Sequence, residues 1–128
     1  MALAAGGCEP SGDDVREARA VAEAYAQARG RNDFRAMCAT LSDRLAEDYA
    51  RGAGSCAAGA RALVEPGGRI AEPFRIDVRE SESSGDRIVA VFEYSRAGSP
   101  GTSAFQLELV REGGSWAVDA DDANLPAG

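Results

Sequence analysis

The hydrophobic pattern of this sequence changes its period once, and the change occurs at the segment Glu65–Gly68. Before this segment the larger apolar residues recur every three or four positions, which is the spacing of helices with one buried face. After it they alternate with polar residues, which is the spacing of half-buried β-strands. The proline and glycines within the segment end any helix that reaches it. Helices first and strands last predict the α+β class, with N-terminal helices packed on a curved antiparallel sheet.

The helical half is expected to contain four helices. The first spans Asp14–Arg29, and Glu17 is placed to complete a capping box with an aspartate at its start. Three shorter helices follow, and Ser42 and Ser55 are the predicted N-caps of the last two. The residues expected to point inward are Phe34, Met37, Cys38 and Leu41 in the second helix, Leu45 and Tyr49 in the third, and Cys56, Ala60, Leu63 and Val64 in the fourth.

The second half is expected to form about four strands, joined by short turns and therefore antiparallel to their neighbours. Alternation places Asp77, Glu93, Glu108 and Asp119 opposite the large apolar residues, on the solvent side. From Asp119 onward the chain is acidic and then rich in small residues, so it is expected to fray. The residues expected to face the helices are Phe74, Ile76, Val78, Ile88, Ala90, Phe92, Tyr94, Phe105, Leu107, Leu109, Trp116 and Val118.

A chain of 128 residues corresponds to one domain, placed at 13–121 between a flexible segment at 1–12 and a frayed tail at 122–128. No apolar run approaches the ~18 residues that a membrane span requires. The net charge of −7 argues against nucleic acid as a partner and against docking on anionic lipid. The chain has neither lysine nor histidine, and its cysteines do not have metal-ligand spacing, so neither a metal site nor a cofactor is expected.

An odd number of cysteines requires its own explanation if the protein is exported. Cys38 and Cys56 fall on the predicted inward faces of the second and fourth helices. They are either two small buried hydrophobic residues or a disulfide that joins those helices. A disulfide between them would stabilise the fold by about 3 kcal/mol in the chain-entropy description. The sequence has no CxxC motif, so a redox role is not expected.

The segment Ala5–Cys8 resembles a bacterial lipobox, in which small residues precede a cysteine that becomes lipidated. This interpretation predicts an exported protein anchored to the cell membrane through Cys8, and it requires Met1 to lie inside a longer signal peptide. The alternative is a cytoplasmic protein with an incidental cysteine in a disordered tail. Export would permit a disulfide between Cys38 and Cys56, and all three cysteines would then be explained. Under that condition we expect the disulfide.

Four segments carry a resemblance through their order and spacing: Val21–Arg31, Phe34–Ser42, Ser55–Leu63 and Leu109–Asp119. Together they resemble the nuclear transport factor two-like superfamily, and more narrowly its exported actinobacterial members. The resemblance implies a cone of helices wrapped by a bent sheet. It also implies a disulfide, because Cys38 and Cys56 match two positions that pair in such exported relatives. The superfamily includes ketosteroid-isomerase-like and epoxide-hydrolase-like enzymes as well as non-catalytic pockets, so the fold leaves the function open.

An isomerase of this type needs an inward carboxylate base and an inward acid that can stabilise an oxyanion. Because alternation points the strand carboxylates outward, no catalytic residue is assigned. The pocket candidates are Tyr25, Tyr49, Tyr94 and Trp116, which commonly pack in a core while their polar tip reaches a partner. The expected function is a non-catalytic, surface-tethered domain that binds a small apolar ligand or a protein partner, including a second copy through the sheet. The alternatives are an isomerase or hydratase that uses a pocket tyrosine and a carboxylate, and a purely structural spacer.

Overall fold

The computed structural model describes residues 12–67, 70–80, 86–96 and 103–121, and it confirms the α+β class. The four strands form one antiparallel sheet in the order β1-β2-β3-β4, as expected for a meander. Cys8 and the tail at 122–128 lie outside the described residues. The helices are α1 (Gly12–Gly30), α2 (Phe34–Cys38), α3 (Asp43–Ala50) and α4 (Cys56–Val64), followed by a 3₁₀ turn (Glu65–Gly67), and the strands are β1 (Ile70–Glu80), β2 (Arg87–Arg96), β3 (Ser103–Glu112) and β4 (Ser115–Asp121).

The acidic start of α1 binds the last strand instead of closing a capping box. Helix α1 begins at Gly12, so Asp14 lies inside its first turn and the predicted box is wrong. The Glu17 carboxylate accepts the backbone N–H of Trp116 at 3.1 Å. The Asp14 carboxylate accepts the Trp116 indole N–H at 3.3 Å and pairs with the Arg111 guanidinium at 2.7 Å. These bonds attach the start of α1 to β4.

The predicted caps of α3 and α4 are confirmed. The Ser42 hydroxyl accepts the backbone N–H of Leu45 at 3.2 Å, and the Ser55 hydroxyl accepts that of Ala58 at 3.1 Å. The inward assignment of Leu63 is wrong, because its side chain is 48% exposed. Helix α4 packs through residues spaced four apart, so Leu63 falls on a neighbouring face.

The alternation predicted for the strands is confirmed where their side chains are described. Those of β1, and of Phe92 and Tyr94 in β2, lie outside that description. Glu93 is exposed, as expected. The inward strand residues pack against apolar side chains of the helices and form one core. Its larger members are Tyr25, Phe34, Met37, Leu41, Leu45, Tyr49, Val64, Ile88, Phe105, Leu107, Leu109, Trp116 and Val118.

Strand β4 contains a bulge that reverses its alternation. Val118 pairs with Leu109, whereas Ala120 pairs with Glu108, so Asp119 is an extra residue on this strand. Before the bulge, even-numbered residues of β4 face the core; after it, Asp121 pairs with the buried Leu107 and shares its face. The prediction that the chain frays from Asp119 is therefore wrong for residues 119–121, which continue the strand.

The connection between α2 and α3 protects the outer edge of β4. Val118 donates its backbone N–H to the Thr40 carbonyl at 2.8 Å and accepts that of Ser42 at 2.8 Å. Leu41 forms a parallel bridge with Val118 between these two bonds. An exposed strand edge is a site of unwanted pairing, and this short connection occupies part of it.

The disulfide between Cys38 and Cys56 is present, with the two Cα atoms 6.2 Å apart. It joins the last residue of α2 to the first residue of α4. Both cysteines are partly buried against the core. The bond therefore fixes two short helices that would otherwise depend on packing alone.

Replacing both cysteines in C38A/C56A should lower the free energy of unfolding by about 3 kcal/mol, because the unfolded chain regains the entropy of an open loop. Urea titrations of the two proteins without reductant measure this difference. Unfolding the wild-type protein, purified under oxidising conditions, with an alkylating agent and no reductant should label neither cysteine. Labelling of both thiols would contradict the bond.

Gly59 allows α4 to approach the backbone of α3. A β-carbon at this position would lie 1.7 Å from the Tyr49 carbonyl oxygen. Gly59→Ala should therefore destabilise the protein by about 1–3 kcal/mol, although alanine favours helices. Gly12→Ala is the matched control, since a β-carbon there meets no atom within 4 Å. Equal midpoints of urea unfolding for the two variants would show that the helices are not in close contact.

Candidate functional site

The core encloses a carboxylate that accepts hydrogen bonds from two tyrosines. The Tyr25 hydroxyl donates to Oδ2 of Asp121 at 2.7 Å, and the Tyr49 hydroxyl donates to the same oxygen at 2.5 Å. Asp121 is 1% exposed, Tyr25 is fully buried and Tyr49 is 7% exposed. The three side chains come from β4, α1 and α3 respectively. This cluster is the candidate site.

The bulge in β4 brings Asp121 into the cluster, and polar contacts to Asp119 hold the bulge. The Asp119 carboxylate accepts the Ser42 hydroxyl at 2.7 Å and pairs with the Arg44 guanidinium at 3.2 Å. Partial burial raises the pKa of Asp119, but the hydrogen bonds from Ser42 and Arg44 outweigh burial, so the pKa lies below its ordinary value. Asp119 therefore forms an ion pair as a charged carboxylate, and its side chain, which was expected on the solvent side, is only 17% exposed.

Arg29 adds a positive charge to the cluster. Its Nη1 donates to the Tyr25 hydroxyl at 3.2 Å, and its guanidinium carbon lies 3.9 Å from the centre of the Phe105 ring. The Phe105 ring is stacked near Tyr25, with 6.2 Å between the ring centres. Arg29 is four residues after Tyr25 on α1, so one helix face presents both groups.

Both tyrosines are held in their neutral form. Burial raises the pKa of Tyr25 well above 10.0, and the charge of Asp121 raises it further, while Arg29 partly opposes this. The pKa of Tyr49 is also raised, first by burial and then by Asp121. Two neutral hydroxyls directed at one carboxylate oxygen form a strong network in a low-dielectric interior. Each tyrosine hydroxyl already donates its proton to Asp121, so neither proton is free for a hydrogen bond to another group.

The structure brings together two of the four pocket candidates. Tyr25 and Tyr49 meet at Asp121, whereas Trp116 lies elsewhere on β4, with the Arg111 guanidinium carbon 4.9 Å from its ring centre. The side chain of the fourth, Tyr94, lies outside the described part. Sequence reasoning missed Asp121, because the chain was expected to fray from Asp119; continuing the alternation of β4 from Val118 would also have assigned Asp121 to the solvent side. Only the position of the bulge in β4 would have indicated that Asp121 faces the core, and the sequence does not mark that position.

Tyr49 also lines a surface cleft of about 320 Å³ between α3 and α4. The cleft is lined by the exposed Leu63, by small residues that include Ala53 and Ala62, and by the charged Asp48 and Arg51. Tyr49 therefore contacts the buried cluster through its hydroxyl and the cleft through another part of its surface.

Within the described residues, no three acidic or cysteine side chains are grouped to hold a metal ion. Across the same part of the chain, no helix is long and apolar enough to span a membrane.

Stability should fall as the pH rises above 10, because only the unfolded chain releases the two tyrosine protons at their ordinary pKa of 10.0. A raised folded-state pKa gives stability that is complete below the unfolded pKa and is lost above it. The limiting slope is about 2.7 kcal/mol per pH unit, from about 1.36 kcal/mol for each tyrosine. Urea titrations between about pH 8 and about pH 11 measure it.

Lysine side chains would titrate in the same pH range, but the chain has none, so the pH dependence is simpler to interpret. Tyr49→Phe should have about half the wild-type slope, since one titrating hydroxyl is removed. A slope that is the same in both proteins, or a wild-type stability that stays constant through the window, would show that the cluster does not hold the tyrosine protons.

No family model and no curated protein matches this chain in sequence. A ketosteroid isomerase-like protein from Erwinia carotovora atroseptica SCRI1043 resembles it with a TM-score of 0.52, over 87% of this chain and 95% of that chain, at 19% identity. An NTF-2 like protein of unknown function from Shewanella oneidensis MR-1 gives a TM-score of 0.47, over 85% of this chain and 94% of that chain, at 16% identity. The first likeness is one of fold, and it agrees with the superfamily resemblance of the sequence. The chain therefore shares the α+β fold of that ketosteroid isomerase-like protein.

Proposed function

We propose that this protein is a non-catalytic, surface-tethered domain that binds a small apolar ligand. The observation that carries the proposal is the use of both tyrosine hydroxyls by Asp121. An oxyanion site needs a donor directed at the substrate, and a general base needs access to the proton it removes. Tyr25 and Asp121 are buried from solvent, so they serve the fold.

The ligand site of this proposal is the cleft between α3 and α4. Its volume of about 320 Å³ lies at the lower end of the range for small-molecule sites, which is about 300–1,000 Å³. Leu63 is the large apolar side chain exposed there, and Tyr49 is among the lining residues. Tyr49 is held by its bond to Asp121, so this part of the lining is in place before a ligand arrives. A protein partner, or a second copy at the sheet, is the alternative occupant.

The tether is Cys8, whose thiol would carry the lipid. The cysteine count supports this, because Cys38 and Cys56 pair with each other and leave one cysteine. Disulfides persist in oxidising compartments outside the cytoplasm. The small residues before Cys8 are the residue types that lipoprotein processing accepts. The proposed location is therefore the outer face of the cell membrane.

Leu63→Asp should weaken binding of the neutral apolar fluorophore N-phenyl-1-naphthylamine at least about tenfold, because it replaces the exposed apolar side chain of the cleft with a charged one. The substituted side chain is already 48% exposed, so the fold should tolerate the change. Ala20→Asp, on the exposed face of α1, is the matched control and should bind like the wild type. Fluorescence titrations measure affinity, and circular dichroism checks folding. Equal affinities for both variants, or no saturable binding, would contradict the proposal.

An isomerase is the second candidate, and one observation favours it: a carboxylate lies 2.7 Å from a tyrosine hydroxyl. Such an enzyme would remove a proton next to a carbonyl and return it elsewhere, with a tyrosine stabilising the enolate oxygen. The β,γ-unsaturated ketone 3-cyclohexen-1-one is a suitable probe, since its conjugated isomer absorbs in the ultraviolet. Turnover by the wild type that is lost in Asp121→Asn, with folding retained, would replace the binding proposal with this one.

A further inference from the structure

A second cavity, of about 470 Å³, lies between α2 and α4 and shares no lining residue with the Tyr49 cleft. The loop after α1, helix α2 and the first turns of α4 form its walls. Its volume is within the range of about 300–1,000 Å³ that is common for small-molecule sites. Nothing in the cluster around Asp121 contributes to it.

Two arginines line this cavity, Arg35 on α2 and Arg61 on α4. Neither forms an ion pair with any carboxylate in the described part of the chain. Unpaired cations are unexpected in a chain with a net charge of −7, where acidic partners are abundant. Two uncompensated guanidinium groups on one concave surface attract an anion and suit a carboxylate in particular. The arginines that do pair with described carboxylates are Arg16, Arg44, Arg51, Arg87 and Arg111.

Part of the remaining lining of the cavity is apolar. The Arg61 guanidinium carbon lies 5.7 Å from the centre of the Phe34 ring, within the range of a cation–π contact. Phe34 is 5% exposed, and Ala57 and Ala58 complete the apolar part of the lining. These residues would bury hydrocarbon and would contribute little to binding a bare inorganic anion.

The loop after α1 supplies hydrogen-bond acceptors at the edge of the cavity. Oδ1 of Asn32 is buried and has no hydrogen-bond partner among the described residues. Asp33 accepts the backbone N–H of Ala36 at 3.1 Å through Oδ1, and its exposed carboxylate retains capacity for another donor. Because Oδ1 of Asn32 is closed to solvent, the exposed Asp33 carboxylate is the acceptor that a ligand donor can reach.

We propose that this cavity binds a small organic carboxylate that also carries a hydroxyl group and an apolar body. The ligand carboxylate pairs with Arg35 and Arg61, its hydroxyl donates to the Asp33 carboxylate, and its hydrocarbon packs on the apolar lining at Phe34, Ala57 and Ala58. The Cys38–Cys56 disulfide joins the two helices that present the arginines, so it holds the two sides of the site together. This site is separate from the apolar cleft and does not depend on the function proposed for that cleft.

Titration calorimetry with sodium 3-phenyllactate at low ionic strength tests the proposal. The wild type should bind saturably, and R35A/R61A should bind at least about tenfold more weakly, because charge-assisted bonds are lost. Arg16→Ala is the matched control, since Arg16 is an exposed arginine of α1 that does not line the cavity. Circular dichroism and urea midpoints verify that the variants fold. Absent wild-type binding, or equal affinity in R35A/R61A and Arg16→Ala, overturns the proposal.

Two further probes test the chemical class of the ligand. Inorganic phosphate should bind more weakly than phenyllactate, and equal affinity would overturn the role of the apolar wall. The neutral 3-phenylpropane-1,2-diol should bind at least about tenfold more weakly than phenyllactate, and equal affinity would overturn the role of the arginines. The neutral variant Leu63→Ser should leave phenyllactate binding unchanged, because Leu63 lies in the other cleft. Loss of phenyllactate binding in Leu63→Ser would place the carboxylate in that cleft and overturn the assignment.

Discussion

The hydrogen bonds that two tyrosines donate to Asp121 attach two helices to the end of the sheet. Tyr25 belongs to α1 and Tyr49 to α3, and both donate to one oxygen of a side chain that is 1% exposed. Removing the partner of a buried charge commonly costs about 3–5 kcal/mol, because the remaining charge is left without compensation. The two helices are therefore restrained relative to β4 by a polar interaction as well as by packing. Arg29 extends this restraint through its contact with the Tyr25 hydroxyl.

The bulge at Asp119 makes this arrangement possible. An extra residue in β4 turns Asp121 to the face of Leu107, which is the core face. The same residue extends its carboxylate to Ser42 and Arg44, so the bulge is bonded to the start of α3. One irregularity in a strand thus determines both where the buried carboxylate lies and how the neighbouring helix is attached.

The helical layer presents two surfaces with different chemistry. The cleft at Tyr49 and Leu63 presents apolar side chains beside the ion pair of Asp48 and Arg51, whereas the cavity at Arg35 and Arg61 presents two arginines without a described ion-pair partner beside an apolar wall. Helix α4 contributes to both, and its first residue, Cys56, is covalently bound to α2. Short helices have little stability of their own, so this bond and the close packing of α4 on α3 keep both surfaces in place. Neither surface requires the buried cluster to perform chemistry.

The sequence by itself determined the class of fold, because hydrophobic period is a local property of the chain. The serine caps of α3 and α4, the inward residues of β3 and the turn between β3 and β4 all follow from local patterns. The two cysteines could be located on helix faces, but their pairing depended on a resemblance and an assumed compartment. Tyr25 and Tyr49 could be assigned to the interior for the same local reason.

Only the tertiary structure decided what those tyrosines contact. If the alternation of β4 continued unchanged, Asp121 would face solvent. A single-residue bulge turns it to the core instead, and the sequence does not indicate where that bulge lies. The acidic start of α1 was misassigned for a related reason, since Glu17 binds a backbone group of β4 that is distant along the chain. Leu63 is exposed because the packing of α4 uses a narrower face than its apolar composition allows. Register and helix rotation depend on contacts between distant segments, and a local pattern contains no information about them.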